Sequence, residues 1–286
     1  MELVILGSGG GPQPIAERGS PAIAVVHDGV WYAVDAASGV ARQAVAAGLA
    51  LRDLRGVFIT HHHIAHNADM GTLPLLAWTA GLVSPVAVAG PPPCSELVDE
   101  FVSLSRVDIT HREHLGRPQF ASLLRTQDVA DGSVILEHDG LSVRAAAVVH
   151  PPLDAVGYRF DAAQGSVVVS GDTAACEEMV ALAHGADILV HEAYSPDHLH
   201  LLTDGTNAAV ERLQQHFAQA HTSAEDAGRI AARAGVRTLV LWHLIPTRGV
   251  TDEEFAAQAA RHFDGQVVVA KDLERVAVAP ASQPIR

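Results

Sequence analysis

"VFITHHHIAHNADMGTL", residues 57 to 73, sets a short apolar run against four histidines within six positions, and a helical pattern follows. Val57 to Thr60 read as a strand that delivers the cluster to its end. On extended chain His61 and His63 point the same way, and His66 comes three residues later where the helix begins, so three imidazoles converge. His62 points to the opposite side. This spacing at a strand end is a metal-binding pattern, and three neutral imidazoles suit a borderline cation such as zinc.

Outward from the cluster, other polar residues stand where apolar runs end. His150 closes "VRAAAVVH", Asp172 follows "SVVVSG", His191 and Glu192 follow "ADILV", and His243 ends "RTLVLW". Each alone reads as a hydrogen-bonded group at a strand terminus; together, beside the histidine cluster, they read as ligands from several strands.

The chain between these points is a succession of short strands, turn signals and helical patterns, which is α/β organisation. Hairpins are expected at Asp28-Gly29, at Asp139-Gly140 and near Gln164-Gly165. Residues 91 to 128 lose strand character and read as a proline-started, mostly helical excursion, a cap beside the site. With 286 residues, 48% of them hydrophobic, one α/β domain is expected. Cys94 and Cys176 each stand alone, so neither a disulfide framework nor a thiolate zinc site is built from them. The N-terminus lacks a signal-peptide pattern and no apolar stretch is long enough to span a bilayer, so a cytoplasmic protein with no membrane partner is expected.

Seventeen histidines exceed what packing needs. The formal net charge is -14, and Lys271 is the only lysine. A polyanion meets net repulsion, which argues against a nucleic-acid substrate and for a small molecule.

The ordered series "GSGG", Asp35, "THHHIAH", His150, "SGDT", "HEAY", "HTSAEDAGRIA" and "LVLWH" resembles the metallo-β-lactamase-fold hydrolases, in the branch that holds ribonuclease Z and its arylsulfatase-like and phosphodiesterase relatives. The resemblance runs from about residue 2 to about residue 246. It implies a four-layer αββα sandwich with metals at one edge of the sheets. It also implies His61, His63 and His150 as ligands of one zinc, Asp172 as a bridging carboxylate, and His66 and His243 as ligands of a second metal. Glu192 and His221 match the pair that assists proton transfer to the leaving group. A symmetric homodimer is the habit of the ribonuclease Z branch.

The departure is Ala65. The family writes HxHxDH, and the missing aspartate binds the second metal and orients the attacking hydroxide. One firmly held zinc, with the second weak or absent, is therefore expected. Asp69, about one helical turn after His66, is the nearest replacement, although a helix-start role is the simpler reading. Zinc-activated water would hydrolyse an ester, lactone, sulfate ester or phosphodiester. No glycine-rich basic arm of the ribonuclease Z kind is present, and Trp78, Phe101 and Phe120 are candidates for an apolar pocket wall. His198 and His200 read as an exposed loop. The leading reading is a zinc hydrolase of a small, partly apolar substrate. A non-catalytic metal-binding member comes next, and an RNA-processing phosphodiesterase after it.

Overall fold

The computed structural model describes residues 1–203 and 206–278. The first sheet takes, side by side in chain order, β1 (Glu2–Gly7), β2 (Ala22–His27), β3 (Val30–Val34), β4 (Leu54–Phe58), β5 (Val86–Gly90) and β6 (Leu124–Asp128). The second takes β7 (Val134–His138), β8 (Leu141–His150), β9 (Leu153–Ala162), β10 (Gly165–Val169), β11 (Ile188–Tyr194), β12 (Thr238–Ile245) and β13 (Gln266–Val269), again in chain order. A last strand, β14 (Arg275–Ala277), returns to the first sheet and pairs antiparallel beside β1.

Each sheet begins antiparallel and ends parallel, the change falling at β3 in the first and at β10 in the second. The antiparallel parts follow from tight turns. Asp28 and Gly29 have φ of 47° and 80°, and Asp139 and Gly140 have 49° and 75°, the left-handed pair that an Asp-Gly hairpin requires. Parallel neighbours need longer crossovers, and most are helical.

Three apolar layers result: one between the sheets, one between the first sheet and its helices, and one between the second sheet and its helices. This is the expected αββα sandwich. Beneath the strand ends the inter-sheet layer is aromatic, with ring centroids 5.7 Å apart for Phe58 and Tyr158, 5.9 Å for Phe58 and Phe160, and 6.1 Å for Tyr32 and Phe58. Such pairs contribute about 0.5–1.5 kcal/mol each beyond their burial, so the two sheets are pinned where the polar strand ends emerge.

The excursion at 91 to 128 differs from its reading as a cap. It does form two helices, Cys94–Leu104 and Arg106–His114, but residues 124 to 128 are β6, the edge of the first sheet. Its apolar side chains Val98, Ile109 and Phe120 pack on the outer face of that sheet. Trp78 joins them, with its ring 5.4 Å from Phe120 and its indole N–H donated to Pro118 O at 3.1 Å. Trp78, Phe101 and Phe120 line no part of the cavity over the histidine cluster. Among the described residues no helix is long and apolar enough to cross a membrane.

Candidate metal centre

The parallel strands of both sheets end on one side of the sandwich, the usual place for a site in α/β proteins. There β4 gives way to His61, His63 and His66, β8 to His150, β10 to Asp172, β11 to Glu192 and β12 to His243. His61 Nε2 lies 2.9 Å from His63 Nδ1 and 3.8 Å from Asp172 Oδ2, and His63 Nδ1 lies 3.3 Å from His150 Nε2. These four donors form one group that could hold a cation. A second group shares the same carboxylate: His66 Nε2 is 3.5 Å from Asp172 Oδ2, and His243 Nε2 is 3.4 Å from Asp172 Oδ1. In a third, His221 Nδ1 sits 2.8 Å from Glu192 Oε2 and 3.9 Å from Asp172 Oδ2.

The outward nitrogens are fixed by a shell of acceptors. Asp35, at the end of β3, accepts Thr60 N–H at 2.8 Å, the Thr60 hydroxyl at 3.0 Å and His66 Nδ1–H at 2.7 Å. Because the Thr60 hydroxyl spends its hydrogen on Asp35, His61 Nδ1–H is the donor to Thr60 Oγ1 at 3.1 Å. His150 Nδ1–H donates to Ala220 O at 2.7 Å. In His61 and His150 Nε2 is therefore left as a lone pair aimed at the cluster, the orientation that outer-shell partners impose on metal-binding histidines, and His66 Nε2 is aimed there too but must give up a proton before it can hold a cation. Gly10 lets the chain cross against His243: a Cβ there would stand 2.8 Å from His243 Nδ1.

The charge states follow from burial and the carboxylates. Burial pushes His61, His63 and His150 down and takes His243 to about 3, so these rings are neutral. Burial also opposes charge on His66, but Asp172 and Asp35 outweigh it and raise that ring to about 10. Burial favours a neutral Asp172, yet His243 and His66 hold it well below the usual carboxylate range. Burial lifts Glu192 to about 7; it disfavours charge on His221, which Glu192 nevertheless raises to about 9.

The donor set fits a metal. Tetrahedral ligands at about 2.0–2.1 Å from zinc stand about 3.3–3.4 Å from one another, close to the spacings within the first group. Asp172 Oδ1 and His243 Nδ1 are buried without a hydrogen-bond partner among the described residues, a costly state that a cation and its companions relieve.

Ala65 lies at the mouth of this cluster, on the wall of a cavity of about 540 Å³. Asp69 is engaged elsewhere: its Oδ2 accepts Gly39 N–H at 2.7 Å, at the start of helix Val40–Ala46. The helix-start role is thus the one that the structure gives it, though for a different helix. His62 turns away, with Nε2 2.7 Å from Pro91 O, and His191 contacts the Glu192 carbonyl at 2.9 Å. His198 and His200 line no part of the cavity.

Two features escaped the sequence. Asp35 belongs to the motif series, but nothing local announced that it anchors both His61 and His66; its φ of 61°, rare outside glycine, is legible only in the structure. The cavity wall comes from Leu202, Leu213 and Phe217 rather than from residues 91 to 128. Helix Asn207–Ala220 carries two of the three, with apolar positions at i and i+4 as the available signal.

Comparison with known proteins gives a consistent picture. Residues 30–244 match a family model described as the beta-lactamase superfamily domain. A protein named ribonuclease Z from Mycobacterium sp. (strain KMS) is 34% identical over 285 residues, covering 98% of this chain and 97% of the relative. One of the same name from Mycobacterium avium (strain 104) is 34% identical over 284 residues, covering 97% and 98%. Among solved structures, the metallo-beta-lactamase fold protein YhfI from Bacillus subtilis superposes with a TM-score of 0.70 at 22% identity, covering 96% of this chain and 98% of that one. The short form of human tRNase Z superposes with a TM-score of 0.70 at 17% identity, covering 97% and 99%.

These relatives overturn the expectation that a small molecule is the substrate and nucleic acid an unlikely one. The mycobacterial relatives are named for cleavage of RNA, and the likeness to them spans nearly the whole chain. Net charge is a sum over the entire surface, while a phosphodiester is gripped locally, and a bound cation adds positive charge that the sequence total omits.

Proposed function

Because this chain belongs to the beta-lactamase superfamily and is a metal-dependent hydrolase of the metallo-β-lactamase fold, we propose that it cleaves phosphodiester bonds in RNA. The observation that carries the reading is the His221 and Glu192 pair, joined at 2.8 Å beside Asp172, on the same cavity as the metal-binding groups. It stands in a chain 34% identical over nearly its full length to proteins named ribonuclease Z.

In this reading His61, His63, His150 and Asp172 hold one zinc, and His66, His243 and Asp172 offer a second position that lacks a carboxylate at Ala65. Zinc there supplies a Lewis acid that makes hydroxide available near neutral pH and polarises the bond under attack. The remaining work belongs to the side chains. Thr173 N–H, at 2.6 Å, holds Glu192, and Glu192 holds His221 Nδ1. The other ring nitrogen of His221 is thereby free for the cavity, where a protonated imidazole delivers its proton to the leaving oxygen. Asp35 and the Ala220 carbonyl keep three imidazoles in register throughout. A cytoplasmic home fits the two cysteines, both free.

Ala65 supports a second reading, a member that holds metal and RNA without cutting. Metal analysis and cleavage assays on a tRNA-containing RNA and on bis(p-nitrophenyl) phosphate separate the two. The proposal expects metal-dependent cleavage that Glu192→Gln lowers by about 10²- to 10⁴-fold with metal content unchanged. A metal-loaded protein that binds the RNA and cuts neither substrate refutes hydrolysis and leaves the second reading.

A further inference from the structure

A second cavity, of about 490 Å³, opens at the end of the sandwich opposite the metal-binding groups. There β3, β4, β5 and β6 begin rather than end, and β7, the edge strand of the second sheet, faces them. Its floor is the inter-sheet layer where that layer thins: Ala87 and Ala89 take the places that rings fill elsewhere, with Ile135 and Leu136 opposite. Gly56 lets the Tyr32 and Phe58 rings lie against its strand, since a Cβ there would stand 2.6 Å from Phe58 and 2.9 Å from Tyr32.

Three polar groups face this apolar floor with unspent donors. Tyr32 is 3% exposed, and its hydroxyl has no hydrogen-bond partner among the described residues. Arg55 Nη1 donates to Arg52 O at 3.1 Å and Leu54 O at 2.8 Å, and Arg125 Nη1 donates to Ser122 O at 2.7 Å and Leu124 O at 3.0 Å. Each guanidinium is thus steadied by its own turn, with its other N–H groups uncommitted. Neither has a carboxylate within 4.0 Å among the described residues, in a chain of net charge -14. Two acids also stand on the rim, Asp139 with Oδ2 2.9 Å from His138 Nε2 and Asp28 with Oδ2 3.5 Å from His27 Nε2, both largely exposed to solvent.

We infer that this cavity binds a small organic anion, an apolar body carrying a carboxylate or phosphate head. The head meets Arg55, Arg125 and the Tyr32 hydroxyl, donors whose fork geometry suits oxyanions. The body covers the alanines and β7. A buried Tyr32 hydroxyl, a half-buried Arg55 and an exposed Arg125 on the rim, facing a mostly apolar cavity of this size, match the usual make-up of a ligand site, a few polar groups over an apolar lining. A bare inorganic anion leaves the apolar floor wet, and an uncharged ligand leaves both guanidinium groups unmatched. The site is independent of the chemistry at the metal-binding end.

Calorimetric titration of the metal-loaded protein with benzoate, phenyl phosphate and inorganic phosphate tests this. Saturable one-site binding is expected for at least one aromatic anion and not for inorganic phosphate, and the better of the two identifies the head group. The double variant Arg55→Gln/Arg125→Gln weakens it by tenfold or more. Tyr32→Phe keeps the ring stacked on Phe58 and weakens it severalfold, so it serves if the double variant folds poorly. His150→Ala leaves it unchanged. The inference is overturned by absence of saturable binding, by binding that survives both the double variant and Tyr32→Phe, or by binding lost in His150→Ala, which would place the probe at the metal end.

Discussion

Replacing Ala65 by aspartate should complete the second metal-binding group. As the chain stands, that group has two imidazoles of its own, His66 and His243, and borrows Asp172 from the first. A carboxylate at position 65 raises its own donors from two to three, enough for a catalytic zinc position. The change is sterically cheap, because Ala65 lies on the wall of a cavity of about 540 Å³, and an acid in the first turn of helix Ile64–Asn67 suits that helix terminus. Metal content by plasma mass spectrometry should rise from about one toward two per chain. Cleavage of bis(p-nitrophenyl) phosphate should rise by about 10²- to 10³-fold, the usual scale for a group that stabilises a reacting oxygen. Asp69→Asn is the control: its carboxylate is spent on Gly39 N–H, so metal content should not move. Unchanged metal and unchanged rate in Ala65→Asp would refute the account of the alanine. A loss of metal in Asp69→Asn would show that the nearby carboxylate swings into the centre after all.

His150→Ala should lower the content of bound metal, read by metal analysis after gel filtration; full retention would remove His150 from the ligand set. Asp35→Asn loses the anionic anchor of Thr60 and His66 and should weaken metal affinity by about 10- to 100-fold in a competition with a chromogenic chelator. An unchanged affinity would mean that the two rings hold their orientation without it. Burial pushes the Cys94 thiol up to about 12, so at pH 8 it should resist alkylation in the native protein and react only on unfolding, by mass spectrometry. Native labelling of Cys94 within minutes would contradict its placement in the outer helical layer.

The histidine cluster and the strand-end donors were legible because metal ligands need particular residue types at spacings that a strand followed by a helix dictates. The Asp28-Gly29 and Asp139-Gly140 hairpins were legible for a similar local reason, the left-handed φ values that few residues accept. Long-range facts were not. Residues 124 to 128 form an edge strand although "LRTQD" has weak strand character, because pairing with β5 supplies what propensity lacks. The Ala220 carbonyl that orients His150 is 70 positions away and carries no side-chain signal. The expectation against nucleic acid rested on total charge, a quantity that says nothing about one cavity.

The donors at the metal-binding end come from both sides of the short connection between β6 and β7. His61, His63 and His66 precede residue 129, and His150, Asp172, Glu192, His221 and His243 follow residue 133. The first group takes His61 and His63 from one stretch and His150 and Asp172 from the other, and the second takes His66 from one and Asp172 and His243 from the other, so capture of an ion in either is a coincidence detector for correct mating of the two sheets. A chain whose halves had folded but slipped against each other by a single residue would hold its helices and strands and still fail to retain a metal ion. Metal retention therefore audits tertiary assembly more stringently than circular dichroism does.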